Sequence, residues 1–153
     1  MRETSSPAEL TDHLGYWLRL VSNAVSQSFA RRVEAEGVTV AEWVVLRALY
    51  AAEPMAPSHL AERMGMTKGA ISKLVDRLVA KDLVERREVG GGGRRQSLTL
   101  GPQGHALVPQ LAALADQNDA DAFGGLAPGE RRDLKRLLHK LAAAHKLTAA
   151  PIA

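Results

Sequence analysis

The sequence contains no cysteine, so it forms no disulfide and offers no thiolate nucleophile and no cysteine-based zinc site. It also has no apolar run that approaches the roughly 18 residues needed for a membrane-spanning helix, and residues 1–7 contain no apolar signal core. We therefore expect a cytoplasmic protein without a membrane partner.

Signatures of enzymes and metal sites are equally scarce. The five histidines are scattered and form no His-Glu-x-x-His pattern. His59 shares a helix face with Glu62, which is a weak zinc signal. The glycines at residues 90–93 are not followed by the Gly-Lys-Ser/Thr of a phosphate-binding loop. We expect no catalytic residue, no metal and no cofactor, and hence no enzyme.

Positive charge is concentrated in the middle of the chain. The 153 residues, of which 46% are hydrophobic and 24% charged, suit one globular domain with a formal net charge of +3. Residues 58–95 hold nine lysines and arginines against five acidic residues, whereas the rest of the chain is nearly neutral. A basic segment between near-neutral ends indicates a polyanionic partner.

Helical periodicity dominates both ends of the chain. Residues 6–9 match a capping box with proline at the first helical position, and apolar residues then recur at three- and four-residue steps. The pattern predicts one helix over residues 7–36, about 45 Å long. Such a helix would protrude and bury its apolar stripe against a second copy of the chain. Residues 102–123 and 128–147 predict two closing helices.

The middle of the chain predicts three helices and a hairpin. Thr39 opens a helix with a capping box, residues 57–64 form a short helix, and residues 67–81 form a third one after a glycine. Residues 83–89 and 95–100 read as strands. The buried stripe of the third helix is predicted to be Ala70, Ile71, Leu74, Val75, Leu78 and Val79. We therefore predict a mainly α chain with a small β-hairpin: a winged helix-turn-helix between terminal dimerisation helices.

The third helix carries short polar and cationic side chains opposite its apolar stripe. These suit base edges and phosphates in the major groove of DNA, although a merely solvated face is the alternative. Lysines near a helix amino terminus oppose the macrodipole, which favours a functional reason for them. The predicted DNA contacts in this helix are Thr67, Lys68, Gly69, Ser72, Lys73 and Arg77. The hairpin adds Arg86, Arg87, Arg94 and Arg95, whose guanidinium groups suit phosphates or a minor groove.

Over nearly its whole length the sequence resembles the multiple-antibiotic-resistance regulator (MarR) family of bacterial transcription factors, most specifically over residues 60–78 and 81–87. The resemblance implies an obligate homodimer, built from the first and last helices, that binds a pseudo-palindromic operator in double-stranded DNA. It implies that Arg77 contacts the DNA backbone and that Arg94 is the wing arginine. The groove-facing positions that it implies are Thr67, Lys68, Ser72 and Lys73. Gly92 stands where the family usually has a buttressing acidic residue, so the choice between Arg94 and Arg95 stays open.

Many members of that family are released from DNA by a small, often aromatic or phenolic, ligand. In the family the effector cleft lies between the dimerisation helices and the DNA-binding lobe. Five of the six aromatic residues of this sequence fall in its first 50 positions. The candidates for an aromatic acid site are His13, Tyr16, Trp17, Trp43 and Arg47. Aromatic stripes at helical spacing are more often plain core packing, and that alternative stays open.

Two functions are compatible with the sequence. The first is a dimeric, ligand-responsive regulator, for which repression is expected and activation stays open as the alternative. It would be a single unit, residues 1–153, with a DNA-binding lobe over residues 38–101 and dimerisation helices over residues 7–36 and 102–147. The second is a winged-helix DNA-binding protein without a sensor, acting as a constitutive regulator or a DNA-packaging accessory. Ligand entry near the two tryptophans would distinguish them by a change in fluorescence.

Overall fold

The computed structural model describes residues 5–90 and 95–152, which fold into six α-helices and a two-stranded hairpin. A short 3-10 turn, Leu10–Asp12, precedes the first helix. The elements are α1 Leu14–Glu34, α2 Val40–Leu49, α3 Pro57–Met64, α4 Lys68–Ala80, β1 Val84–Glu88, β2 Gln96–Leu100, α5 Pro102–Phe123 and α6 Pro128–Ala144. The predicted fold class, a mainly α chain with a small β-hairpin, is confirmed. Across the described ranges, no helix combines the length and apolar character that a bilayer crossing requires.

The first helix begins later than predicted. The Asp12 carboxylate accepts a hydrogen bond from the Glu9 amide at 2.9 Å, which closes the 3-10 turn. His13 is extended, with φ −95° and ψ 130°, and separates this turn from α1. With its 21 residues, α1 is about 32 Å long. The prediction of one helix over residues 7–36 was wrong, because the side chain of Asp12 offers the backbone a competing local turn.

The core lies where α2, α3 and α4 meet the hairpin. Its largest fully buried side chains include Leu46 of α2, Leu60 of α3 and Leu98 of β2. Four residues of the predicted α4 stripe are at most 2% exposed: Ile71, Leu74, Val75 and Leu78. Val79, predicted in the same stripe, is 37% exposed. Val79 lies about 100° around the helix axis from the buried Leu78, beyond the edge of the buried stripe.

The hairpin is anchored to the helices by a third short pairing. β1 and β2 run antiparallel, with Val84 opposite Leu100 and Glu88 opposite Gln96. In the loop before α3, the Met55 amide donates to the Leu98 carbonyl at 3.1 Å and the Leu98 amide donates to the Met55 carbonyl at 2.8 Å. These two hydrogen bonds hold the middle of β2 beside the residues that lead into α3.

An ion pair between a buried carboxylate and an exposed lysine joins the start of α2 to the end of α4. Glu42 is 1% exposed, and its two carboxylate oxygens accept hydrogen bonds from Lys81 Nζ at 3.0 and 2.9 Å. The same carboxylate accepts from the Thr39 amide at 3.0 Å, which confirms the predicted capping box. Burial raises the pKa of Glu42, but the hydrogen bonds and the charge of Lys81 lower the pKa more, so it lies below its ordinary value. The ionised carboxylate therefore links the two helices at neutral pH.

The terminal helices leave apolar surface uncovered. α5 packs along α1, where Asn118 donates to the Val25 carbonyl at 3.3 Å and Arg32 pairs with Asp121. α6, by contrast, contains no buried residue. The exposed large apolar side chains near the two ends are Leu10, Leu14, Tyr16, Trp17, Leu18, Leu20, Val21, Leu137, Leu138, Leu141 and Leu147. Among the residues that the structure describes in one chain, these two helical surfaces have no apolar partner that would bury them.

Candidate nucleic-acid interface

The turn between α3 and α4 depends on a glycine. Gly65 adopts φ 61° and ψ 31°, a left-handed conformation that side chains disfavour. Its amide donates to the Glu62 carbonyl at 3.2 Å and ends α3. Thr67 then caps α4, because its Oγ1 accepts a hydrogen bond from the Ala70 amide at 3.1 Å. The predicted start of this helix is confirmed, and the cap places the first turn of α4 at the surface.

The side of α4 opposite the core is polar and exposed. We define the polar face of α4 as Thr67, Lys68, Gly69, Ser72, Lys73 and Arg77, all of which are exposed. A Cβ added at Gly69 would have no neighbour within 4 Å, so the helix surface is open there. A helix that buries one stripe and presents three cations on the other has the shape and charge to enter the major groove of DNA.

A groove brings the polar face of α4 and the hairpin together. It has a volume of about 700 Å³ and opens between the amino-terminal part of α4 and the end of the hairpin. Lys68 and Ser72 line it from the helix, and Arg95, the residue before β2, lines it from the hairpin. Two cations that line the same groove favour an anionic occupant such as a phosphate group. The structure thus joins two elements that the sequence assigned separately to DNA contact.

The other predicted hairpin arginines differ in their surroundings. Arg86 pairs with Asp76 of α4, which ties β1 to this helix. The guanidinium has five N–H donors, so the pair leaves donors for a further acceptor. Arg87 lies 3.5 Å from Glu85, and its side chain is 73% exposed. Arg94 lies outside the described residues.

The predicted ligand contacts fall into two groups, and the first lies before and at the start of α1. His13 Nδ1 lies 3.0 Å from the Glu9 carbonyl, and Trp17 Nε1 donates to the Thr11 carbonyl at 2.8 Å. Tyr16 meets Trp17 edge to face, with 5.3 Å between ring centroids. These contacts hold the 3-10 turn against α1, so this group has a structural role within the chain.

The second group, Trp43 and Arg47, lies on α2. Trp43 packs edge to face against Phe29 at 6.4 Å between centroids. The guanidinium of Arg47 lies 5.7 Å from the ring centre of Tyr50. Among the described residues, the cavities that adjoin Trp43 include no member of the first group. One chain therefore does not bring the five predicted ligand contacts together.

Trp43 separates two cavities of different character. The inner cleft, about 660 Å³, lies between α1, α2 and α5 and is mostly apolar; its charged residues are the carboxylates Glu34 and Asp119. The outer cavity, about 790 Å³, lies beside α2 and α3. It is lined by Arg47, His59 and Arg63 next to the carboxylate of Glu62. The outer cavity therefore suits an anion, whereas the inner cleft suits an apolar group.

The pairing of His59 with Glu62 gains no support as a metal site. Both residues line the outer cavity. Within the part of the chain that the structure describes, no cluster of three or more potential metal ligands exists. A site with two ligands in one chain does not supply the four-coordinate geometry of a structural zinc ion.

The core lobe and α4 match a known family. The model of the MarR family matches residues 36–95, the segment that contains α2, α3, α4 and the first strand of the hairpin. The HTH-type transcriptional repressor Rv2887 of Mycobacterium tuberculosis is 28% identical over 128 residues, covering 84% of this chain and 92% of that protein. The chain is therefore similar to MarR-family proteins over most of its length. The family and these relatives are transcription regulators and not enzymes.

Solved MarR-family structures share the fold. BpsR of Bordetella bronchiseptica, described as a protein whose DNA binding is regulated by 6-hydroxynicotinic acid, is 26% identical with a TM-score of 0.76, covering 90% of this chain and 98% of that one. A mutant MarR from E. coli in complex with operator DNA is 25% identical with a TM-score of 0.73, covering 84% and 92%. Rv2887 with salicylic acid is 27% identical with a TM-score of 0.65, covering 90% and 98%.

Two contacts that support the polar face of α4 were not predicted from the sequence. The pairing of Arg86 with Asp76 could have been suggested by their opposite charges on neighbouring elements. The pairing of Lys81 with Glu42 spans 39 positions, and the sequence gives no local signal for it. Both contacts hold an end or a side of α4, so they position the polar face without belonging to it.

Proposed function

We propose that this MarR-family protein is a homodimeric, sequence-specific DNA-binding repressor of transcription whose affinity for DNA is changed by a small aromatic acid. The observation that carries the proposal is the exposed polar face of α4, which shares a cationic groove with the hairpin through Lys68 and Arg95. Because the apolar stripe of α4 is buried in the core, its polar face is the side of the helix that is available to contact DNA. This face belongs to the winged lobe, residues 38–101.

In the proposed complex, α4 enters the major groove of the operator. Ser72 and Lys73 lie far enough into the helix to reach base edges, while Lys68 and Arg77 pair with phosphates. The hairpin follows the neighbouring backbone or minor groove with Arg87, Arg94 and Arg95. Arg86 positions the hairpin through its pairing with Asp76 and keeps donors for a phosphate.

The uncovered apolar surface supports a homodimer through the terminal helices, residues 7–36 and 102–147. α6 has 17 residues and none is buried, and an isolated helix of that length is marginal in water. A second chain that covers the leucines of α6 and the apolar side chains around the start of α1 would remove this exposed surface. Two-fold symmetry then presents two copies of α4, which matches a pseudo-palindromic operator.

The outer cavity is the proposed site for the aromatic acid. A ring can pack against Trp43 while its carboxylate pairs with Arg47 or Arg63. Two relatives are named with ligands of this class, 6-hydroxynicotinic acid for BpsR and salicylic acid for Rv2887. His13, Tyr16 and Trp17 lie close to the surface proposed for dimerisation, so they would reach such a ligand across the subunit contact.

A ligand changes DNA affinity only if it binds one arrangement of the two α4 helices better than the other, and typical coupling energies are about 1–3 kcal/mol. Titration with salicylate and related acids tests this part of the proposal. Release of operator DNA supports it. Unchanged DNA affinity and unchanged tryptophan fluorescence throughout the titration would favour the alternative of a regulator without a sensor.

Lys73→Ala tests the polar face of α4. We expect this substitution to weaken binding to operator DNA by about tenfold or more, because a contact to a base edge contributes about 1–3 kcal/mol of discrimination. Binding to scrambled DNA should change much less. Fluorescence anisotropy with the two labelled DNAs measures both affinities.

Lys140→Ala is the matched control, since Lys140 is an exposed lysine of α6 and its loss changes the net charge equally. It should leave the preference for the operator unchanged. An equal loss for both DNAs in Lys73→Ala would assign Lys73 to the phosphate backbone. No loss for either DNA would remove the middle of α4 from the interface.

A further inference from the structure

The segment after α6 turns back toward the winged lobe. The Leu147 amide donates to the Ala142 carbonyl at 2.9 Å and the Lys146 amide donates to the Ala143 carbonyl at 3.1 Å. This pair of bonds is a Schellman motif, which ends a helix and reverses the chain. Lys146 adopts φ 54°, a conformation that is uncommon for residues other than glycine. The end of α6 therefore directs the following residues back toward α2 and α3.

Residues 148–152, which we call the strap, line both cavities that adjoin Trp43. Thr148, Ala149 and Ala150 line the outer cavity beside Arg47. Pro151 and Ile152 line the inner cleft. Ile152 is partly buried and packs against the hydrophobic core. The strap thus runs from the outer cavity to the inner cleft, where the side chain of Ile152 anchors it to the core.

The strap also touches the turn that leads into α4. A Cβ built on Gly65 would lie 2.9 Å from the Cβ of Ala149, which is closer than two such atoms approach without displacement. Gly65 is the residue whose left-handed conformation ends α3. A single segment is therefore in contact with both cavities and with the turn before the polar face of α4.

We infer that the strap is an internal competitor for the ligand cavities: it covers them in the ligand-free protein and leaves when an aromatic acid enters. The ligand part of this inference rests on the proposed function. The apparent affinity of a ligand decreases as the closed fraction of the protein increases, so the strap lowers the affinity for the ligand. Its departure also removes Ala149 from the turn at Gly65, which connects cavity occupancy to the start of α4.

Closure by the strap is measurable without any ligand. The sequence has two tryptophans, so a Trp17→Phe background leaves Trp43 as the sole tryptophan. In that background we expect Ile152→Ser to raise the acrylamide quenching constant of Trp43 about twofold and to shift its emission to longer wavelength, because local opening exposes the ring. Ile152→Val should restore the values of the background protein.

Val79→Ser is the matched control, since Val79 is a 37% exposed apolar residue outside the strap that lines neither cavity. It should leave the fluorescence of Trp43 unchanged. If Ile152→Ser shows the same quenching and emission as the background protein, the strap does not cover Trp43 in solution and the inference is overturned.

Calorimetric titration with salicylate, in protein that retains Trp17, separates the strap from the proposed function. We expect Ile152→Ser to bind salicylate about fivefold more tightly than the unchanged protein, because less of it is closed. Equal affinity in the two proteins would show that the strap does not compete and would overturn the inference. If quenching rises as expected but neither protein binds salicylate, strap closure is supported and the proposed effector class fails.

Discussion

Replacing Leu141 by glutamate should convert the protein into a monomer and weaken its binding to operator DNA by at least about a hundredfold. Leu141 is 53% exposed and lies on the same face of α6 as Leu137 and Leu138. In the proposed dimer this face is buried, and a carboxylate placed there would lose its hydration without a partner. A monomer presents one copy of α4 to two half-sites, so the gain from binding both at once is lost.

Sedimentation velocity gives the oligomeric state of this variant, and anisotropy gives its affinity for DNA. His139→Glu is the matched control, because His139 lies on the opposite side of α6 and the change adds the same charge. The control should remain dimeric and keep its affinity. A Leu141→Glu protein that stays dimeric with unchanged affinity for the operator would place the dimer contact elsewhere.

Replacing Gly104 by alanine should destabilise the fold by roughly 3 kcal/mol, the range of severe overpacking in a core. Gly104 lies in the first turn of α5 and is buried. A Cβ at this position would lie 2.1 Å from the carbonyl oxygen of Leu83 and 3.0 Å from its carbonyl carbon. These are backbone atoms, and the same carbonyl accepts a hydrogen bond from the Gly101 amide at 3.0 Å. The helix and the segment entering β1 must therefore separate.

Urea denaturation followed by circular dichroism measures this loss. Gly129→Ala is the matched control, because Gly129 also lies in the first turn of a helix and its added Cβ would have its nearest neighbour at 3.7 Å. That substitution should be neutral or stabilising, since alanine favours the helix. Equal stabilities for the Gly104→Ala and unchanged proteins would mean that α5 does not approach Leu83 as closely as the structure shows.

Elements whose signals are local could be predicted from the sequence. Thr67 and Gly65 bracket the start of α4, and a proline opens α5, so these boundaries agree with the structure. The start of α1 could not be predicted, because the capping signal at residues 6–9 competes with the turn closed by Asp12. The sequence pattern alone does not rank two competing local hydrogen-bonded structures.

The exposure of the polar face was predictable for a similar reason: a helix with a buried stripe must present its other side to solvent. The contacts that hold α4 and its neighbours in place could not be predicted from the sequence. The contacts of Lys81 with Glu42 and of Gly104 with Leu83 join residues that are distant in sequence, and their partners become visible only when the elements pack. The same holds for the grouping of the aromatic residues, of which Trp43 lines cavities and Trp17 braces a turn.

The most direct test of the account is fluorescence anisotropy of the purified protein with labelled DNA from beside its own gene. Scrambled DNA of equal length is the comparison, and both are measured across a salt series. The account predicts a preference for the gene-adjacent DNA of about 10³-fold or more, with affinity falling steeply as salt rises. Failure to bind either DNA at low salt would contradict it.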